Sequence, residues 1–268
     1  MEAEERYDKF CRELLAELPP AFALTEPSHV WDKELPRLPL QRQMFHLAIF
    51  ESIYQNFRPV LLSDPGQVLN LPAYKQVLLA SQQHTLAFAA LKTLDCVSNL
   101  HTLLGRSHTR FPNIIMPTFE AAVVLCSLVM DTQFLRSPSI GSTNANENLS
   151  LENEQKGHVD PLVWERAHVT RESCRRAIQD ALARLEMLAE VSNMAKICAR
   201  TLARLIAKMP VLVSSNGGGS YDTHAALHDI ELFRGDGDVS QAALLDLDHF
   251  FATCSTESFS GVHTALPD

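Results

Sequence analysis

Apolar residues recur along this chain at intervals of three and four, seldom two, which predicts helices throughout. Tyr7, Phe10, Cys11, Leu14, Leu15 and Leu18 fall at i, i+3, i+4, i+7, i+8 and i+11, so residues 2–18 read as an amphipathic helix ended by Pro19-Pro20. An irregular segment with Trp31 leads to Leu38–Leu62, the stretch around which the rest is organised, which opens with Pro-punctuated turns at Leu35-Pro36 and Leu38-Pro39 and then runs as a helix to Phe57. There Met44, Phe45, Ala48, Ile49, Ile53 and Phe57 keep helical spacing, while Gln41, Arg42, Glu51 and Gln55 form the polar complement. Arg58-Pro59 stops it, because the residue before a proline is pushed out of the α region, so Arg58 is expected to be extended. An arginine at such a stop can close a helix end or pair with a carboxylate of the body.

After a turn at Asp64-Pro65-Gly66, a long helix covers about Pro72–Leu104, with a candidate break near Gln82-Gln83 and a face of Ala87, Ala90, Leu91, Leu94, Val97 and His101. Gly105 to Pro112 reads as a polar connection. Pro117 suits the first turn of the next helix, Thr118–Leu135, which is apolar nearly all round at Ala121–Met130 and therefore predicted to be the buried centre. Residues 137–160 lose all periodicity and read as an exposed, disordered loop. Helix returns at Pro161, capped by Asp160, and one or two helices run to Met209 on Ala177, Ala181, Leu182, Leu185, Leu188, Ala189, Ser192, Ala195 and Ile197. Arg171, Arg175, Arg176 and Arg184 fall mostly on the opposite face, with Glu172 and Asp180 among them, as on a solvated surface. Fold class is all-α: a helical domain over 1–210, and an acidic, partly disordered tail over 211–268 that begins near Gly217-Gly218-Gly219.

Charge sharpens the boundary. Residues 1–210 hold 22 Lys and Arg against 23 Asp and Glu, whereas 211–268 hold Arg234 alone against nine acids. Neither half presents a basic nucleic-acid face. The six cysteines exclude a zinc cluster by spacing: the nearest two, Cys174 and Cys198, stand 24 positions apart, and the cluster needs pairs two residues apart. They read as small buried hydrophobes. The N-terminus is acidic and amphipathic, unlike a signal peptide, and Ala121–Met130 is half the ~20 residues of a membrane span. The expectation is a soluble protein of a reducing compartment, with no membrane partner and an unmodified Asn148.

Several motifs resemble catalytic or metal sites and fail on inspection. Asn146, Ser150 and Glu154 fit the N-x3-S-x3-E triad of terpene cyclases, but no aspartate-rich cluster faces it to clamp a diphosphate. Asp236-Gly237-Asp238 begins like a calcium loop that then offers Gln241 where glycine is needed and Leu247 where glutamate is. His224, His228 and Asp229 lack a further ligand, and Gly105-Arg106-Ser107 lacks the phosphate-loop lysine. The chain therefore reads as a non-enzyme, with no cofactor and no catalytic or metal-binding residue. In the tail, Leu244, Leu247, Phe250 and Phe251 alternate with acids, the composition of segments that hold aromatics solvated until a partner groove takes them; these four are the partner-contact candidates. The same spacing also fits a last amphipathic helix docked on the body.

The order of elements over residues 20–210 resembles the fungal-specific transcription factor domain, the all-helical regulatory region of fungal zinc-cluster transcription factors. The residues that carry the likeness are Asn56-Phe57-Arg58-Pro59-Val60-Leu61, the alanine-rich helix at Ala89-Ala90 and the run Pro117 to Leu125. The closing pattern Ala181-Leu182, Leu185, Leu188-Ala189, Ser192, Ala195, Leu202 and Leu205 is similar too. The family's usual Leu-His before Arg-Pro is Asn56-Phe57 here, while Arg58 and Pro59 match as structural motif residues. The resemblance implies a nuclear location and control of transcription, including that of a metabolic or secondary-metabolite pathway. It also implies action through the transcription machinery or a DNA-binding partner, homodimer formation, and response to a small-molecule effector. Without zinc-cluster ligands, direct specific DNA binding by this chain alone is not expected. The alternatives are a helical protein-interaction adaptor unrelated to DNA and, third, a helical enzyme of the terpene-cyclase type.

Overall fold

The computed structural model describes residues 2–63, 65–68, 70–105, 112–131, 134–135, 162, 166 and 168–209. Of the two units into which the chain divides, only Met1–Pro210 carries described residues. The expected loop at 137–160, the Asp160–Pro161 helix start and the tail with its four candidate contacts lie outside them. Among the described residues every regular element is helical: α1 Glu2–Glu13, α2 Leu38–Phe57, the single turn α3 Pro65–Val68, α4 Ala73–Leu103, α5 Pro112–Met130, α6 Arg171–Leu188 and α7 Asn193–Ala207. No helix there is long and apolar enough to cross a membrane.

The helices pack in sequence order and then close on the centre. α1 lies on α2, α2 on α4, α4 on α5, and α5 on both α6 and α7, which also pack on each other. α5 is the hub because its residues allow no solvent face: Ile114, Phe119, Ala122, Leu125, Cys126 and Val129 are all fully enclosed. α2 and α4 run antiparallel, since Gln43 meets Asn99 at one end of their contact while Phe50 stands edge-on to Phe88 at 6.0 Å further along. α1 is fastened by Arg6, whose Nε donates to Asn56 at 2.8 Å, by Asn56 donating to the Ala3 carbonyl at 2.7 Å, and by Tyr7 edge-on to Phe57 at 5.5 Å.

α2 ends at Phe57 as expected but takes in Leu38-Pro39, expected as a turn, as its first turn; α4 is one unbroken helix through Gln82-Gln83, where Gln82 donates to Glu4 of α1. Three further expectations change. The first helix ends at Glu13 and gives way to a 3₁₀ turn at Leu15–Glu17. Arg58 is helical, at φ −50° and ψ −37°, not extended, because the chain turns directly into a 3₁₀ segment, Arg58–Leu62, whose first turn accommodates Pro59. Finally, Pro117 lies inside α5, whose first-turn proline is Pro112. The lost N–H at Pro117 leaves the Asn113 carbonyl without its helical donor. The added turn places Ile114 and Ile115 in the core, and their burial favours a helix that begins at Pro112, ahead of the expected start at Thr118.

α6 and α7 are separated at Ser192. Thr170 opens α6 with a capping box, exchanging bonds with Ser173, and the Ser192 hydroxyl accepts from the Ala195 N–H to open α7. Cys174, Ile178, Ala181, Leu185 and Leu188 form the buried stripe of α6, with Ala195, Cys198, Ala199 and Leu202 on α7. Ile197, expected to pack, is 40% exposed.

Candidate functional site

Arg42 was assigned by pattern to the polar face of α2, yet it is 2% exposed. Its guanidinium gathers the irregular segment before α2: Nε donates to the Ala21 carbonyl at 2.6 Å and Nη2 to the Ser28 carbonyl at 3.1 Å. Both terminal nitrogens reach Asp32, at 2.6 and 3.2 Å, and His29 bonds the same carboxylate at 2.7 Å. The hydrogen bonds from Arg42 and then His29 hold the Asp32 carboxyl down at about 2. Residues 20–37 are thus a strap, tied to α2 by one planar cation whose fork matches carbonyls and carboxylate together. His46, one turn further on, donates from Nε2 to the Phe22 carbonyl at 3.1 Å, and burial pushes its pKa down, keeping the ring neutral.

The strap forms one wall of a cleft of about 370 Å³ through Leu24 and Pro27. α2 contributes Gln43, His46 and Phe50, at i, i+3 and i+7; α4 contributes Lys92, Asp95 and Asn99 at the same spacing. Two matching stripes therefore face each other across antiparallel helices, bridged where Asn99 donates to the Gln43 oxygen at 3.4 Å. Lys92 lies over the Phe88 ring, its Nζ 5.8 Å from the centroid. The lining is mostly polar. The pattern analysis passed over this cleft because His46, Lys92 and Asp95 break no helical period. The legible signal was the polar i, i+3, i+7 set Lys92, Asp95 and Asn99 on α4, facing Gln43 and His46 on α2, in helices otherwise rich in core residues.

Arg58, the motif arginine, sits at the C-terminal end of α2, where its charge acts on Tyr54 and on Glu120 of the central helix. Tyr54 donates to Glu120 at 3.4 Å and is 4% exposed. Burial, and then the charge of Glu120, push Glu51 up; burial pushes Glu120 up against the pull of Arg58. The arrangement links α2 to α5. Pro59 is exposed in the 3₁₀ turn that follows.

A helix end closed by an arginine is found at α5. Arg171, expected on a solvated face, donates to the carbonyls of Val129, Asp131 (3.2 Å) and Phe134 (3.1 Å), where α5 ends. Those are acceptors that a helix C-terminus leaves unpaired. Arg184 is half-buried, and the charges of Asp180 on its own helix and Asp95 of α4 act on it. Arg171 could not be read from charge pattern, because its partners are backbone oxygens at the end of another helix, whereas Asp180 and Arg184 stand at i, i+4 within α6.

The cysteines of the described residues are buried and distributed over α1, α4, α5, α6 and α7. Burial pushes the Cys96 and Cys126 thiols up to about 12 and Cys174 to about 11. Such thiols on separate helices do not fit a zinc cluster. No group of three or more His, Cys, Asp and Glu side chains that could hold a metal occurs among the described residues.

The chain is 42% identical over 207 residues to "Transcription factor xilB" of Penicillium rubens, covering 77% of this chain and 28% of that protein. It is 35% identical over 215 residues to "Probable transcription factor sol4" of Alternaria solani, covering 80% of this chain and 37% of that protein. The chain thus spans about a third of the length of these curated relatives. No family model matches the chain. No solved structure matches it either.

Proposed function

We propose that this chain is a helical regulatory domain of a fungal transcription regulator of the zinc-cluster type, working in the nucleus through the transcription machinery or a DNA-binding partner. The observation that carries the reading is the 42% identity to a protein named as a transcription factor, extending over 77% of the chain. The all-helical body and the Arg58-Pro59 turn linked to the central helix fit it. Catalysis has no place in this reading; control comes from contact and from response to an effector. Leu244, Leu247, Phe250 and Phe251 are the residues proposed to meet the machinery, because acidic neighbours keep large hydrophobes available for a partner groove.

The test is to fuse residues 1–268 to a heterologous DNA-binding domain and to place its site upstream of a reporter with intermediate basal output. The expected result is a change in output, up or down, that replacing the four tail hydrophobes with alanine removes. Unchanged output, with the fusion present in the nucleus and bound at its site, overturns the reading.

A further inference from the structure

We propose that the outward face of α7 docks an acidic amphipathic helix of a protein partner. Lys196, Arg200, Arg204 and Lys208 stand on that face at i, i+4, i+8 and i+12, all exposed, the last of them at the C-terminal cap. Residues 192–209 contain no Asp or Glu. Among the described residues none of the four is in an ion pair. A solvated helix face normally mixes the signs. On α1 the exposed cations face acids at i, i+4: Arg6 with Glu2, Lys9 with Glu13 and Arg12 with Asp8. On α7 each cation faces another cation at that spacing, which destabilises a helix. The helix dipole favours Arg204 and Lys208 near the last turn but disfavours Lys196 in the first. Helix stability therefore does not account for the row. The four positions extend over roughly 18 Å in steps of about 6 Å, the spacing of carboxylates at i, i+4 on a second helix, so one such helix can meet all four. Ile197, 40% exposed on the same face, adds an apolar contact that a row of phosphates cannot use. A duplex would also run past the row onto a body whose 22 basic and 23 acidic residues leave it near neutral. A second copy presenting its own α7 would set cation against cation across the two-fold axis. This names a partner class for the regulatory reading above and rests on it only for its consequence. Binding is read on the purified chain, whereas the reporter result depends on the four tail hydrophobes, so either can fail without the other.

The probe is a fluorescein-labelled, alanine-based helical peptide of about 18 residues with Glu at every fourth position and Leu after each, titrated with the full chain by anisotropy. Saturable binding is expected at about 20 mM salt, weaker at about 150 mM. Arg200→Glu and Arg204→Glu should each weaken it about tenfold, with circular dichroism melts confirming folded variants. Lys33→Glu changes the net charge equally at an exposed position outside the row and should leave the affinity unchanged. A peptide of the same composition with its Glu residues dispersed around the helix should bind about tenfold more weakly, which keeps the test decisive even if a variant fails to fold. No saturable binding overturns the proposal, as does equal binding of the dispersed peptide or unchanged affinity in both arginine variants. A short DNA duplex that displaces the peptide at lower concentration than unlabelled peptide does would make the row a nucleic-acid contact. Self-association in sedimentation velocity that Arg200→Glu abolishes would make it a contact between copies. Either result also overturns the proposal.

Discussion

Arg42→Met keeps the bulk of the side chain and removes the guanidinium donors to Ala21, Ser28 and Asp32, leaving only His29 on the Asp32 carboxylate. Two charge-assisted bonds to backbone carbonyls disappear, so about 1–3 kcal/mol of stability should be lost in urea denaturation. Fluorescence of Trp31, which lies in the strap, should change at lower urea than the helical signal. Acid should act on the same strap. A carboxyl held down at about 2 from an ordinary 3.8 contributes stability that is complete above about pH 4 and vanishes as pH falls towards 2. The opposite sign applies at Glu51, whose carboxyl is pushed up by burial and then by Glu120. The folded state holds that proton more tightly than the unfolded chain does, so stability falls as pH rises above the ordinary 4.5. Glu51→Gln should therefore raise the melting temperature at pH 7, by no more than ~1 kcal/mol given solvent screening. The gain should shrink towards pH 4.5, which melts at the two pH values measure directly.

Prolines and apolar period made the elements legible. The end of α2 at Phe57 was legible because Pro59 follows it, whereas Leu38-Pro39, read as a turn, forms its first helical turn; α5 was placed at the centre because its apolar residues leave no exposed face. Val124→Asp or Leu128→Asp tests that placement. Each would set an unpaired carboxylate where exposure is now 3% or 1%, costing several kcal/mol against a total margin of roughly 5–15, so a lost cooperative melt is expected. What stayed illegible shares one cause. Arg42 and Arg171 look like surface residues in a helical period, and their partners are carbonyls and a carboxylate brought near only by tertiary packing. Pro117 misled for a related reason, since a proline marks a first turn by propensity, whereas the burial of Ile114 and Ile115 upstream extended the helix past it. The cleft combined both problems: each stripe was visible alone, and only the antiparallel pairing of α2 with α4 joins them.

For the whole molecule, the charge balance sets what a duplex would meet. A body with 22 basic and 23 acidic residues and a tail with one basic and nine offer little to exchange for released counterions. In a fluorescence titration at about 150 mM salt, residues 1–268 alone should show no sequence-selective DNA binding near the ~10⁻⁸ M at which specific sites are held. The grip of Arg171 on the end of α5 has a further consequence. Because α6 and α7 are seated on α5 by side chains and by that guanidinium, their docking does not require an intact peptide link between residues 135 and 162. Cutting it should turn folding into complementation: separately made fragments 1–145 and 155–268 should reassemble into one helical body, with a concentration-dependent melt. Arg171→Ala in the second fragment removes bonds worth ~1.5–3 kcal/mol and should weaken that reassembly by tenfold or more. In the uncut chain, the same substitution should only lower the melting temperature.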